Sequence, residues 1–377
     1  MSQVLEKVVI IGAGFFGSVL AERLATAGIS VLLLDKRPHV GGNSWSCPDP
    51  ESGVEEHVYG PHIFHTANAR VWAYINQFAS FNNYCHHVWA RHNGKIYPLP
   101  FGLAAINLLL DQVLSPAEAR AWVESEAAKE HIHDPANMEE KALSMLGRPL
   151  YEAFVKGYSE KQWGCPLREL PASIITRLPV RFNYDTNYYR DICQGIPVDG
   201  YGSMFRAILQ HPLIDVRLNT DYFKVRASLP SHDLLVFTGP IDRFFDYRYG
   251  RLAWRSIRFE KQVLPIPDFQ GNAQINECDL SVPYTRTNEF RHFTPDREFD
   301  KTVIHREYPY TPVGDDDVHY PVRTPSDLAM LAKYQADSAA LAPRVLFGGR
   351  LGTYRYLDMD QSIASALSLS DALLASL

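Results

Sequence analysis

KVVIIGAGFFGSVLAERLATAGISVLLLD, residues 7–35, reads as strand, turn, helix and strand. KVVII and SVLLL are short unbroken apolar runs, as suits strands of a parallel sheet buried on both faces. SVLAERLATA has helical spacing and stops at Gly28, a residue type that favours the helix C-cap. The turn, Gly12-Ala13-Gly14-Phe15-Phe16-Gly17, is G-x-G-x-x-G, and Asp35 ends the second strand. A lone glycine triplet is a weak signal. With a strand before it, a helix after it and a carboxylate closing the next strand, it is what dinucleotide binding requires. Gly12 permits the tight turn, Gly14 lets the backbone approach a pyrophosphate, and Gly17 lets helix and strand pack closely. The helix N-terminus then faces the phosphates, and Asp35 faces the ribose hydroxyls.

Immediately downstream, Lys36-Arg37-Pro38-His39-Val40-Gly41-Gly42-Asn43 supplies a second glycine pair. It lets another backbone segment approach an extended dinucleotide. A simple NAD domain has no need of this, so the expected cofactor is FAD. At the other end of the chain, VLFGGR reads as a strand ending in glycines, and Asp358 opens a last helix, DMDQSIASALSLSDALL. A helix N-terminus aimed at a flavin stabilises negative charge on its pyrimidine ring. Arg350 is placed to neutralise the pyrophosphate. The two ends of the chain are expected to complete one site.

The chain has 377 residues, 46% hydrophobic and 12% aromatic, which suggests two or three packed domains. Its net charge is −6 and it has no long Lys/Arg run, which speaks against a nucleic-acid surface. An anionic ligand therefore needs its own local cations. Five scattered cysteines without C-x-x-C fit a reduced cytoplasmic protein. No signal peptide and no stretch long enough to span a membrane are seen.

Further along, 68–81 is helix-like, and 84–98 alternates like two strands around the turn HNGK. Residues 101–164 are mostly helical, with SPAEAR as a helix start. SMFRAIL, DVRLN and DLLVFTG return to the nucleotide-binding pattern, and RSIRFE, AQINE and KTVIHREY look like antiparallel strands. The fold class is therefore α/β: a discontinuous Rossmann-like FAD-binding domain with an inserted helical domain and an antiparallel β-sheet domain. The expected boundaries are 1–80, 190–240 and 335–377 for the first. The helical domain with a lid loop takes 101–170, and the sheet domain takes 81–100, 171–189 and 241–334.

YGPHIFHT (59–66), KGYSEKQWG (156–164), ITRLPVRF (175–182), GIPVDGY (195–201), TGPID (238–242), VPYTR (282–286), HYPV (319–322) and GGRLGTYRYLDM (348–359) together resemble the bacterial UDP-galactopyranose mutase family over essentially the whole chain. The resemblance implies an isomerase that interconverts UDP-galactopyranose and UDP-galactofuranose on FAD with no net redox change, supplying galactofuranose for cell-surface glycans. It implies that Arg177 and Arg286 grip the UDP diphosphate, for which a permanently charged bidentate fork is suited. Tyr158 and Trp163 would line the cleft, Phe154 would lie near the uracil, and Tyr188, Tyr320 and Tyr356 would donate to phosphate oxygens. Asn82, Ser159 and Asn276 complete the implied substrate set. His65 and the backbone around His62 would lie near the flavin, with Phe16, Lys36, Gly42, Asn43, Ile63, Met359 and Ser362 joining the cofactor set. WGCPLRELPA (163–172) reads as a mobile lid. The chain departs from the family in having Asp35 where many flavoproteins carry Glu, Ser159 where Thr is frequent, and His86 where Asn is common. The implied partners are the two UDP-sugars, an external flavin reductant and a second copy of the chain, in a homodimer.

The chemistry suits a cofactor nucleophile. Ring contraction must break the bond between ring oxygen and anomeric carbon, which cannot open while UDP is attached. A covalent adduct of the sugar with N5 of the reduced flavin would displace UDP and then supply the lone pair that opens the ring. No Ser-His-Asp or Cys-His arrangement competes with this. Cys85-His86-His87 alternates along a strand, and His62 with His65 lacks further ligands, so no metal is expected. Asp315-Asp316-Asp317 reads as a solvated turn. The competing readings are an FAD-dependent oxidase or dehydrogenase on the same cofactor fold, and a non-catalytic flavin-binding sensor.

Overall fold

The computed structural model describes residues 5–177, 180–314 and 316–376, and for Thr176 and Arg177 only the backbone. The opening βαβ unit forms as read: strand Lys7–Ile11, helix Phe15–Thr26, strand Ser30–Leu34. These strands lie inside a five-stranded, wholly parallel sheet ordered Val345–Phe347, Leu234–Phe237, Lys7–Ile11, Ser30–Leu34, Ile214–Arg217. Its members come from three separated parts of the sequence.

Both faces of this sheet are covered, which explains the unbroken apolar runs. On one face Ile10 and Leu33 pack with Val19, Leu20, Phe205 and Leu367, so the glycine-loop helix meets helices Gly200–Leu209 and Met359–Ala375. On the other, Ile11 and Leu34 pack with Tyr222 and Phe237.

A second sheet has seven strands, ordered Tyr320–Pro321, Trp254–Leu264, Thr302–Tyr310, Arg286–Glu289, Gln274–Glu277, Val88–His92, Lys95–Leu99. It is antiparallel except where Val88–His92 runs parallel to Gln274–Glu277, because the Lys95–Leu99 hairpin arrives from a distant part of the chain. Helices Leu103–Leu110, Pro116–Ala128, Met138–Leu150 and Gly157–Trp163 pack beside it around Leu146, Leu150 and Phe154. Ser115 and Glu118 form the capping box that SPAEAR foretold, with Pro116 just inside the helix. The helix read over 68–81 is shorter: Asn68 caps its start, and it ends at Ile75. Between Leu150 and Gly157 the chain winds as one wide π-helical turn, Tyr151–Lys156, a form often found beside functional sites.

No helix among the described residues is long and apolar enough to cross a membrane.

Candidate functional site

A cavity of about 600 Å³ opens at the C-terminal ends of the parallel strands, within the usual range for ligand pockets. Its floor is the glycine loop. A Cβ on Gly12 would fall 2.0 Å from Thr238 Oγ1 and one on Gly17 would fall 2.0 Å from Gly12 O, whereas Gly14 has nothing within 4 Å. Two glycines are thus needed for packing, and the middle one leaves space for a ligand. The helix behind them has no side-chain cap and no acidic residue in its first turn, so its N–H groups and dipole remain available to an anion. Asp35 turns its carboxylate inward, accepting from Ala13 N at 2.8 Å and from Arg37 N at 2.9 Å. Phe16, Lys36, Gly42, Asn43, His62, Arg350, Met359 and Ser362 also line the cavity. Ile63 instead packs in the core with Val54, Ile196 and Phe290, and Asp358 stands as N-cap of the last helix.

The acidic turn read at 315–317 is different. Asp315 lies outside the described residues, and Asp317 ion-pairs with Lys36 at 2.7 Å and Arg37 at 2.8 Å. Residues 311–314 and 316–318 therefore line the cavity on one side while Val313 and Asp316 stay exposed to solvent.

His62 borders this cavity in a fixed state. Its Nδ1 lies 2.8 Å from Gly60 O, its backbone N–H donates to His57 Nδ1 at 3.1 Å, and its carbonyl accepts from Tyr201 OH at 3.0 Å. Burial, with Arg350 and Arg286 nearby, lowers its pKa to about 4, so the ring is neutral. With Nδ1 donating to Gly60 O, Nε2 is left as an acceptor. His65 pairs with Asp191 at 2.6 Å and stacks on Tyr189 with ring centroids 3.7 Å apart.

Arg286 is the centre of a second, adjoining cluster. Its Nε donates to Glu307 Oε2 at 2.7 Å, and Glu307, fully buried, also accepts from Asn288 Nδ2 at 2.6 Å. Burial opposes the charge on Arg286, but Glu307, Tyr158 and Tyr320 outweigh it and push its pKa well up. The two terminal nitrogens are not held by Glu307 and can serve a ligand. Burial raises the phenols of Tyr158 and Tyr188 and pushes Tyr320 up to about 12, while Arg286 acts on each in the opposite direction. They are protonated donors at neutral pH. Tyr320 stacks on Tyr356 with centroids 5.8 Å apart, and the Arg350 guanidinium lies over Tyr356, 5.1 Å from its centroid. Arg350 therefore touches both clusters. Its Nε and a terminal nitrogen donate to Leu357 O at 3.2 and 2.6 Å.

The remaining expected residues divide. Asn276 Oδ1 accepts from Gln274 Nε2 at 2.9 Å, and Ser159 is buried on the same helix as Tyr158 and the half-buried Trp163. Phe154 is a core residue, packed edge-on against Tyr97 at 5.0 Å. Asn82 is structural: Oδ1 accepts from Tyr84 N and Ile196 N, and Nδ2 donates to Phe293 O, so its polar atoms are spent on backbone. The side chain of Arg177 lies outside the described residues. His86 is buried with Nδ1 3.0 Å from Tyr84 OH, and burial lowers its pKa to about 3.

Reading the sequence alone missed Glu307, Asn288, Lys161 and Arg255. Val303, His305 and Glu307 alternate onto one face of a strand, and two polar residues on a buried face were the available signal. Arg255 holds the end of helix Gly157–Trp163, donating to Gln162 O at 2.9 Å and to Thr311 Oγ1 at 2.6 Å. Asp268, Glu289 and His292 also converge, but Glu289 already accepts from Phe269 N, Gln270 N and Thr302 Oγ1.

A family model described as UDP-galactopyranose mutase matches residues 153–356, and one described as an NAD(P)-binding Rossmann-like domain matches 10–78. The chain is 44% identical to a probable UDP-galactopyranose mutase of Klebsiella pneumoniae, across 98% of this chain and 95% of that one. The chain belongs to the UDP-galactopyranose mutase family. It is thus an isomerase, and the family together with the dinucleotide cradle implies a flavin cofactor. A dTDP-fucopyranose mutase of Escherichia coli is 41% identical across 96% of this chain and 97% of its own length. A crystal structure of a reduced UDP-galactopyranose mutase superposes with a TM-score of 0.77 at 18% identity, across 100% of this chain and 95% of that one, and supports the fold alone. A protoporphyrinogen oxidase from Exiguobacterium shares the fold more loosely, with a TM-score of 0.64 at 12% identity, across 99% of each chain. Membership in this family favours an isomerase over an oxidase.

Proposed function

We propose that the protein interconverts UDP-galactopyranose and UDP-galactofuranose, using FAD in its reduced form. The observation that carries this is the Arg286 cluster: a largely buried guanidinium with protonated tyrosines around it, joined through Arg350 and Tyr356 to a dinucleotide cavity. A diphosphate fits such a cluster, and an amine does not.

The glycine cradle fits FAD. Gly12, Gly14 and Gly17 would hold the pyrophosphate with Arg350, Asp35 would take the ribose, and the last helix would point its N-terminus at the pyrimidine ring. When bound there, reduced FAD would supply nucleophilic chemistry toward the anomeric carbon without net electron transfer. The protein's own task is positioning. Arg286, and Arg177 from the segment after the 163–172 lid, would retain the released UDP so that it can return. Tyr158, Tyr188, Tyr320 and Tyr356 would donate to its oxygens, and Ser159, Trp163 and Asn276 would line the cleft. The backbone around the neutral His62, and the His65–Asp191 pair, would lie near the flavin.

In this reading FAD binding belongs to 1–80, 190–240 and 335–377, the helical domain with its lid loop to 101–170, and much of the substrate surface to 81–100, 171–189 and 241–334. The sheet membership supports that division. An external reductant supplies the electrons, the protein works in the cytoplasm as a homodimer, and the product feeds galactofuranose-containing glycans.

The test is to incubate dithionite-reduced protein with UDP-galactofuranose and dTDP-fucofuranose in parallel. UDP-galactopyranose should form without oxygen uptake. Preference for the dTDP sugar would transfer the assignment to the substrate of the E. coli relative. Substrate-dependent oxygen consumption would favour an oxidase, and equal turnover by fully oxidised enzyme would refute the role of the flavin.

A further inference from the structure

Helix Gly157–Trp163 brings Tyr158 to the Arg286 cluster, but Lys161 takes another direction. Its Nζ lies 2.8 Å from Glu277 O, 2.9 Å from Asp279 O, 3.0 Å from Val282 O and 3.0 Å from Tyr284 O. The four carbonyls come from the last residue of strand Gln274–Glu277 and from the connection that runs from it to strand Arg286–Glu289. The nearby carboxylates are engaged elsewhere: Glu277 pairs with Arg91 at 2.8 Å, and Asp279 with His92 at 2.6 Å. The direct hydrogen-bond partners of the ammonium are therefore peptide carbonyls, in the manner of a dehydrated monovalent cation, with Glu277 and Asp279 adding a longer-range attraction. It has three N–H groups for four acceptors, so at least one bond is shared.

The caged connection leads directly into Arg286. Two residues after Tyr284, the chain enters the strand in which Arg286 pairs with Asn276 on one side and Glu307 on the other. Glu277 N donates to Thr285 O at 2.8 Å, and Thr285 N to Glu307 O at 2.9 Å. The helix approaches the same connection so closely that a Cβ on Gly157 would lie 2.0 Å from Cys278 O. Without a charge at the centre, four carbonyls would face one another, and their repulsion would open the connection.

We propose that Lys161 is a positioning residue for the substrate diphosphate, acting through the 277–285 connection that delivers Arg286. The proposal rests on the reading of Arg286 as a diphosphate ligand. It goes beyond that reading in joining the helix of Tyr158 and the strand of Arg286 into one unit through a buried cation. The half-buried stem of Lys161 gives a small cation a way into the cage once the side chain is cut back.

The experiment measures UDP affinity by calorimetry and flavin absorbance per protein on holoenzyme, for wild type, Lys161→Ala, Lys161→Met, Arg286→Lys and Lys161→Ala with Arg286→Lys. Choline, potassium, ammonium and ethylammonium salts are compared at constant ionic strength. Lys161→Ala should weaken UDP binding by about ten- to a hundredfold, the scale of a 1 Å misplacement, with flavin content unchanged. Ammonium or ethylammonium should restore part of it in Lys161→Ala but not in Lys161→Met, whose stem fills the space. On Arg286→Lys the same change should cost far less than it does alone. Wild-type affinity in Lys161→Ala, a loss that no cation restores, or full additivity with Arg286→Lys overturns the proposal. Should Lys161→Ala not fold, Lys161→Met, made alone and together with Arg286→Lys, decides by the same additivity. A wild type that binds no UDP refutes the functional reading itself, a result separate from any difference between variants.

Discussion

Removing Arg286 should separate stability from binding. Its Nε lies 2.7 Å from Glu307 Oε2, and the two side chains are 19% and 0% exposed. At an effective dielectric near 20, such a pair attracts by about 4 kcal/mol. Breaking a buried pair by deleting one partner costs about 3–5 kcal/mol, because the other charge is left uncompensated. Arg286→Ala should therefore lower the unfolding free energy of the holoenzyme by about 3 kcal/mol or more. Adding Glu307→Gln removes the stranded charge while its oxygen can still accept from Asn288 Nδ2, so roughly half the loss should return. UDP binding should not follow. A lost charge-assisted hydrogen bond costs about 1.5–3 kcal/mol, or one to two orders of magnitude in affinity. The double variant has no guanidinium with which to recover it. Urea midpoints at saturating FAD and UDP calorimetry on both variants provide the assay. An Arg286→Ala enzyme as stable as wild type would refute the buried-pair argument. A double variant that regains UDP affinity would refute the diphosphate role.

Gly17→Ala should leave the protein largely free of flavin, since its Cβ would fall 2.0 Å from Gly12 O; absorbance per protein at wild-type level contradicts this. Arg350→Ala should lose flavin first and Arg177→Ala UDP affinity first, measured by the same pair of readouts, and identical responses would refute the division of roles. Stability should fall as pH drops from about 6.5 toward 4. His62, His86 and His319 have folded-state pKa values of about 4, 3 and 4, below the ordinary 6.5, so below pH 6.5 the unfolded chain takes up protons that the folded chain refuses. Thermal melts should show the decline, with a shallower slope in His86→Gln; a flat profile over that window would mean these rings are not buried neutral.

The parts of this molecule legible in sequence are those governed by local rules. The glycine loop, the capping box at Ser115 and the alternation of 84–98 each depend on residues a few positions apart. The parallel sheet was readable because strands covered on both faces must be apolar throughout. The pairing of Val88–His92 with Gln274–Glu277 depends on a non-local arrangement that no window of sequence contains. The site divides in the same way. Arg286 and the tyrosines could be named from motifs, but Glu307, which fixes one edge of the Arg286 guanidinium, looks in sequence like any strand residue. Asn82 illustrates the converse: an amide beside a presumed cleft looks like a ligand until its atoms are seen bonded to backbone at 196 and 293. Lys161 is the most instructive. Its partners are four carbonyls, and a peptide carbonyl has no letter of its own in a sequence. A cation held by backbone is therefore invisible until the chain is folded, even though such a contact can decide where an arginine stands.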